Sequence, residues 1–376
     1  MKEIHSFAPP TRVLMGPGPS DVSPRVLEAM ARPTIGHLDP AFVGMMDELK
    51  DLLRATFRTE NAMTLPISGP GSIGMETCFA NLVEPGDTVV VCQNGVFGGR
   101  MKENVVRMGG IPVMVEDDWG RAVDPAGLEQ ALGEHPEASL VAFVHAETST
   151  GALSDAARLA AIARQHGCLT IMDAVTSLGG VPVEVDDWEI DAVYSGTQKC
   201  LSVPPGLSPV SFSERAMDRL RARKGPVQSW FGDLSLLDGY WAAGAKRSYH
   251  HTAPVNALYG LHEGLLALQE EGLPEAWARH RANHELLRGG LEKIGIDFVV
   301  PADERLPQLN LVSIPAGVAD AEVRAALLAE YNLEIGAGLG ALAGKVWRIG
   351  LMGTSSTVGH VELCVKSLSE VLNRPS

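Results

Sequence analysis

The strongest constraint on this chain is an alternation. Short apolar runs rich in branched residues recur at 63–67, 88–92, 112–115, 140–144, 169–172, 192–194 and 209–212, each bounded by Gly, Asp, Asn or Pro. Amphipathic stretches at 73–82, 100–108, 125–132 and 155–165 lie between them. Near-continuous apolar strands separated by helices predict an α/β fold, with a mainly parallel sheet covered by helices on both faces. Past about residue 270 the texture changes. A long charged helix at 273–293 precedes strand-like 297–300 and 309–314. A helix at 320–330, an extended 345–351 and a last helix follow. The expected organisation is an N-terminal arm (1–20), a large domain (21–270) and a smaller α+β domain (271–376).

In a parallel sheet, chemistry gathers in the loops at the carboxyl ends of the strands. After the first run comes SGPGSIG (68–74), opening a helix. Gly69, Gly71 and Gly74 match the dinucleotide fingerprint G-x-G-x-x-G. That reading needs an acid at the end of the next strand, where Gln93 and Asn94 stand. A glycine turn into a helix N-terminus still offers N–H groups to a phosphate, and Pro70 leaves that task to Gly71 and Ser72. The next strand leads into NGVFG (94–98), where Phe97 is either core or a flat face for a planar ring. HAETSTG (145–151) clusters hydroxyls with His145 and Glu147, whose two-residue spacing is unspecific.

The decisive strand is LTIMD (169–173). Asp173 ends an apolar run, and a buried carboxylate there costs several kcal/mol unless a cation or strong donor meets it. Twenty-six residues on, YSGTQKCLSVPPG (194–206) carries Lys199, the only charged side chain between Asp191 and Glu214. The expected helix and strand between them would put both groups at neighbouring strand ends, in one cleft. Lysine, aspartate, aromatic plate and phosphate loop together meet the needs of pyridoxal 5′-phosphate. The amine forms a Schiff base and the acid keeps the pyridine nitrogen protonated. Few neighbouring charges and partial burial lower an amine's pKa, which makes it nucleophilic.

Charge and cysteines bound the partners. The net charge of −15, from 31 basic and 46 acidic residues, argues against nucleic acid or an anionic membrane. Cys78, Cys92, Cys168, Cys200 and Cys364 are scattered, without metal-ligand spacing, so no metal is expected and reduced thiols are. The first residues lack a signal peptide's apolar region, and no apolar run reaches membrane-spanning length. A cytoplasmic protein is expected.

YSGTQK followed by PPG resembles the cofactor-lysine segment of class V aminotransferases, in the alanine–glyoxylate and serine–pyruvate aminotransferase group. Further matches run along nearly the whole chain: LMGPGPS (14–20), IGH (35–37), LVEPGD (82–87), ETSTG (147–151), SLGG (177–180), YHHT (249–252) and GKVWRIGL (344–351). The resemblance implies the fold type I architecture, with a seven-stranded sheet, and a homodimer with shared active sites. It makes Lys199 the Schiff-base lysine and Asp173 the pyridinium partner. Phe97 takes the ring-stacking position, Val175 the opposite face and Thr148 a place near the ring. Gln198 adjoins the phosphate, Gly71 and Ser72 supply N–H groups to it, and Tyr249 and Thr252 reach the phosphate of the other subunit. Arg348 clamps the substrate carboxylate, and Gly18 and His37 help line the substrate pocket.

The implied activity moves an amino group from alanine or serine to glyoxylate, or to pyruvate, by a ping-pong mechanism. Ureidoglycine is the alternative donor. Pro70 stands where relatives often have serine and Ser72 where some have histidine. An acidic residue near position 70 marks relatives acting on pyridoxamine, and its absence counts against that activity. A lyase or desulfurase on the same fold is the other rival; it would want a mobile cysteine, and Cys200 beside the lysine is poorly placed to swing.

Overall fold

The structure, a computed structural model, describes residues 4–241 and 247–374. In chain order its strands are β1 (Val13–Met15), β2 (Met63–Ser68), β3 (Thr88–Gln93), β4 (Ile111–Glu116) and β5 (Ala138–Val144). After them come the two-residue β6 (Ala146–Glu147) and β7 (Ala152–Leu153), then β8 (Leu169–Asp173), β9 (Ala192–Tyr194) and β10 (Leu207–Phe212). The last are β11 (Leu309–Ser313), β12 (Leu333–Ala337) and β13 (Val346–Gly350).

Seven strands form one sheet in the order β2-β10-β9-β8-β5-β3-β4. Only β10 runs against its neighbours, antiparallel to both β2 and β9. The parallel strands β3, β5, β8 and β9 are buried along almost their whole length, as strands covered on both faces must be. Their core takes in Val89 to Val91 of β3, Leu140 to Val144 of β5, and Leu49, Leu53 and Phe57 of the flanking helix Pro40–Phe57. The register aligns Val144 with Asp173, and Asp173 with Tyr194, so three strand ends stand level at one edge.

A second sheet, in the order β1-β12-β13-β11, has its own apolar core of Met15, Leu287, Trp347, Ile349 and Leu368 among others. Here the structure departs from expectation. Residues 13–15 of the arm are an edge strand, paired in parallel with Leu333 to Ile335. The run at 297–300 forms only an isolated bridge, Phe298 to Val312, before Pro301, which has no N–H to continue a ladder. The link from Asp173 to β9 holds turns where a helix was expected.

Between the sheets runs the segment Gly16-Pro-Gly-Pro19. A Cβ on Gly350 would collide with the Gly16 carbonyl oxygen, and one on Gly336 would lie 2.5 Å from Pro17 Cδ. These glycines let the second sheet press this segment against the strand ends of the first.

Candidate active site

A cavity of about 160 Å³ opens at the carboxyl ends of the first sheet. Lys199, Asp173, Phe97, Val175, Gly71 and Ser72 line it, with Gln198 and Tyr194. The parallel topology brings them together from four different strand ends.

Lys199 is 8% exposed. Its amine donates to the Pro17 carbonyl, and no carboxylate lies within ion-pairing distance among the described residues. Burial, reinforced by the nearby Arg348 guanidinium, brings its pKa down to about 8. Gly18, at φ +105°, faces the amine closely, since a Cβ there would sit 2.7 Å from Lys199 Nζ. The amine therefore has a neutral fraction near physiological pH, as a Schiff-base nucleophile requires.

Asp173 is 3% exposed and holds two neutral donors. The Val175 N–H donates to Oδ1 at 2.8 Å and the Tyr194 hydroxyl to Oδ2 at 2.7 Å. Burial raises the carboxyl to about 7 against the pull of these bonds. A carboxylate in that state is ready for a cationic partner.

Phe97 stands at the start of the helix Val96–Arg107, and its placement depends on Glu147. The buried Glu147 carboxylate accepts from the Phe97 N–H at 3.1 Å and the Ser149 N–H at 2.9 Å, while Ser149 Oγ accepts from the Val96 N–H at 2.9 Å. Burial raises the Glu147 pKa. Gly95 makes this possible: a Cβ there would come within 2.5 Å of Glu147 Cδ and Ser149 Oγ. In the sequence Glu147 is only half of an unspecific pair; His145, the other half, is buried edge-on to Trp188 and pushed down to about 4 by burial. The helix Gly71–Leu82 has Pro70 at its N-cap and no side-chain cap, unlike Pro40–Phe57, which Asp39 caps. Its first N–H groups face the cavity without an intrahelical acceptor.

Arg348 comes from β13 of the second sheet and is buried. Nε donates to the Ala337 carbonyl at 2.7 Å and Nη1 to the Thr148 carbonyl at 3.2 Å. Nη2 has no acceptor among the described residues, and no carboxylate pairs with the guanidinium. Thr148 thus meets Arg348 through its backbone carbonyl. Tyr249, Thr252 and His37 stand away from the cavity. Tyr249 is 65% exposed, reaches Thr252 Oγ1 at 3.4 Å and packs against His37 with ring centroids 5.5 Å apart.

The model of the family described as aminotransferase class-V matches residues 14–355. The chain belongs to the class-V aminotransferases. This aminotransferase is similar to the crystal structure of alanine–glyoxylate aminotransferase from Nostoc sp., with a TM-score of 0.96 and 44% identity over 99% of this chain and 98% of that one. It is 38% identical to the (S)-ureidoglycine–glyoxylate transaminase of Bacillus subtilis, over 97% of this chain and 91% of the relative. With the alanine–glyoxylate aminotransferase of Drosophila melanogaster it shares 39% identity, over 96% and 93% of the two chains. The family depends on pyridoxal 5′-phosphate, and its fold type I sheet is the one described above.

The residues present fit that cofactor. A buried amine and a buried carboxylate, neither with an ion partner among the described residues, share one cavity with an aromatic wall and an uncapped helix N-terminus. By contrast, the Cys200 thiol points at the Thr176 carbonyl, and burial pushes it up to about 12, which disfavours a thiolate role.

Proposed function

We propose that this aminotransferase moves the amino group of a small amino acid, alanine or serine, to glyoxylate, with pyruvate as second acceptor. The observation that carries the reading is Arg348, a buried guanidinium that the second sheet delivers with Nη2 uncommitted. A 2-amino acid and a 2-oxo acid share one feature, a carboxylate beside the reacting carbon, and a planar guanidinium binds it in a fixed orientation. Two relatives similar over nearly the whole chain carry glyoxylate in their names, one with alanine and one with ureidoglycine.

When bound, pyridoxal 5′-phosphate supplies an aldehyde that condenses with amines and a ring that accepts an electron pair. The chain's residues divide the remaining work. Gly71 and Ser72 N–H groups would hold the phosphate, Phe97 and Val175 would contain the ring, and Asp173 would hold a proton on the ring nitrogen. Arg348 fixes the carboxylate and so presents the α-carbon. Lys199 Nζ takes the α-proton and returns it, serving as both base and acid. The Pro17 carbonyl gives the amine a resting acceptor beside the cavity. The two half-reactions share this machinery, which makes the kinetics ping-pong.

A homodimer completes the proposal. Tyr249 and Thr252 lie exposed and outside their own chain's cavity, which supports service to a second copy. A cytoplasmic location accords with five free cysteines. The test is an absorption spectrum of the protein reconstituted with cofactor. A visible band that disappears with L-alanine and returns with glyoxylate is expected. No visible band, or none of alanine, serine and ureidoglycine discharging it, sinks the reading. Ureidoglycine alone discharging it would select the second reading, which the Bacillus subtilis relative favours.

A further inference from the structure

One buried titratable group is not used by the mechanism above. Tyr194 ends β9 directly opposite Asp173 of β8, and both side chains are buried. In a parallel pair, register neighbours project to the same face. Tyr194 spends its hydroxyl proton on Asp173 Oδ2 at 2.7 Å. Gly74 of the helix Gly71–Leu82 leaves room for the base of this side chain: a Cβ there would sit 3.0 Å from Tyr194 Cβ and collide with Ser208 Oγ.

We propose that Tyr194 is a positioning residue, which keeps the Asp173 carboxylate ionised and aimed so that the ring nitrogen of the cofactor stays protonated. The inference rests on the cofactor reading of the preceding subsection. Each Asp173 oxygen has one protein donor, Val175 N–H on Oδ1 and Tyr194 O–H on Oδ2. No cation is bonded to either oxygen among the described residues. Removing the phenol hydroxyl leaves a buried carboxyl with a single donor, and such a group favours its protonated form. A protonated Asp173 still bonds the ring nitrogen, but as the donor. The proton then belongs to the carboxyl, the ring loses its positive charge, and its capacity to take up electrons falls. The other titratable groups acting on this pair are Lys199, Glu147 and Cys78, and none of them donates to Asp173.

The test uses Tyr194→Phe in the full-length protein and two cofactors, pyridoxal 5′-phosphate and its analogue with CH in place of the ring nitrogen. A hydrogen bond to a charged group is worth about 10- to 100-fold in binding. The variant's Kd for the natural cofactor should rise by about that factor, while its Kd for the analogue stays within about twofold of wild type. With L-alanine, kcat should fall by a similar factor and KM stay nearly constant, because Arg348 is untouched. Equal loss of affinity for both cofactors, or no loss for either, overturns the proposal and makes Tyr194 a packing residue. If the phenylalanine variant does not fold, difluorotyrosine at position 194 decides. It keeps the shape and donates more strongly, so it should tighten binding of the natural cofactor alone; unchanged binding overturns the proposal. A wild-type protein with no visible band overturns the cofactor reading itself, a result distinct from any of these.

Discussion

Two buried aspartates stand at opposite ends of the neighbouring strands β8 and β9 and meet different partners. Asp191 sits just before β9, at the amino end of the sheet. It accepts from Arg215 Nη1 at 3.1 and 3.2 Å, from Ser213 Oγ at 2.9 Å and from the Thr170 N–H at 3.1 Å. Asp173, at the carboxyl end of β8, has two neutral donors and no cation among the described residues. Burial raises the pKa of both. The difference is the arginine: a charge the fold keeps for itself is paired within the fold, whereas one kept for a ligand waits for that ligand's charge. Lys199 and Arg348 follow the second pattern, buried and without carboxylate partners among the described residues.

That contrast can be broken at four places. Lys199→Ala should cost the most, at least about 10²- to 10⁴-fold in transamination rate together with the visible band, in a protein that still folds. A retained band would show that another amine holds the cofactor. Asp173→Asn should lower kcat by about 10²- to 10³-fold. It should also stabilise the cofactor-free protein, with a definite pH dependence. The folded-state carboxyl titrates at about 7 against an ordinary 3.8, so the unfolded chain releases its proton first. Stability from this group is intact below about pH 4 and is lost as the pH climbs to about 7. Thermal unfolding should place the variant about 1–3 kcal/mol above wild type at pH 8 and level with it near pH 4. The opposite order would mean that the folded protein holds the Asp173 carboxyl below its ordinary value.

Arg348→Lys keeps the charge but loses the fork. It should raise KM for alanine and glyoxylate by about 10- to 100-fold, with a smaller effect on kcat, measured by steady-state kinetics. Arg215→Ala tests the other side of the comparison. Removing the cation from Asp191 should cost about 1–3 kcal/mol in denaturant unfolding and leave kcat within about twofold. A large loss of activity there would undo the distinction drawn between the two aspartates.

Much of this site is legible in the chain of residues alone. Asp173 stands out because a charge terminates an apolar strand, and Lys199 because its neighbours carry none. Each of the seven strands of the large sheet shows in the same way, as a short apolar run bounded by turn residues. Other features lack a local signal. Tyr194 reads as one more apolar strand residue, and only cross-strand register reveals its bond to Asp173. Glu147 needed the approach of the helix Val96–Arg107 from fifty residues away. The edge strand β1 is three residues long and becomes a strand only because β12 lies beside it.

The order of residues along the chain set the alternation that makes a parallel sheet, and with it the edge where the candidate groups gather. It also determined their chemical types, because amine, carboxylate and guanidinium are fixed at synthesis. Their protonation and their meeting came from the tertiary fold. Burial moved Asp173 up to about 7 and Lys199 down to about 8, and the second sheet carried Arg348 to the Thr148 carbonyl, 200 residues away in the chain. Desolvation and charge proximity depend on distances in space, which no local run of residues encodes.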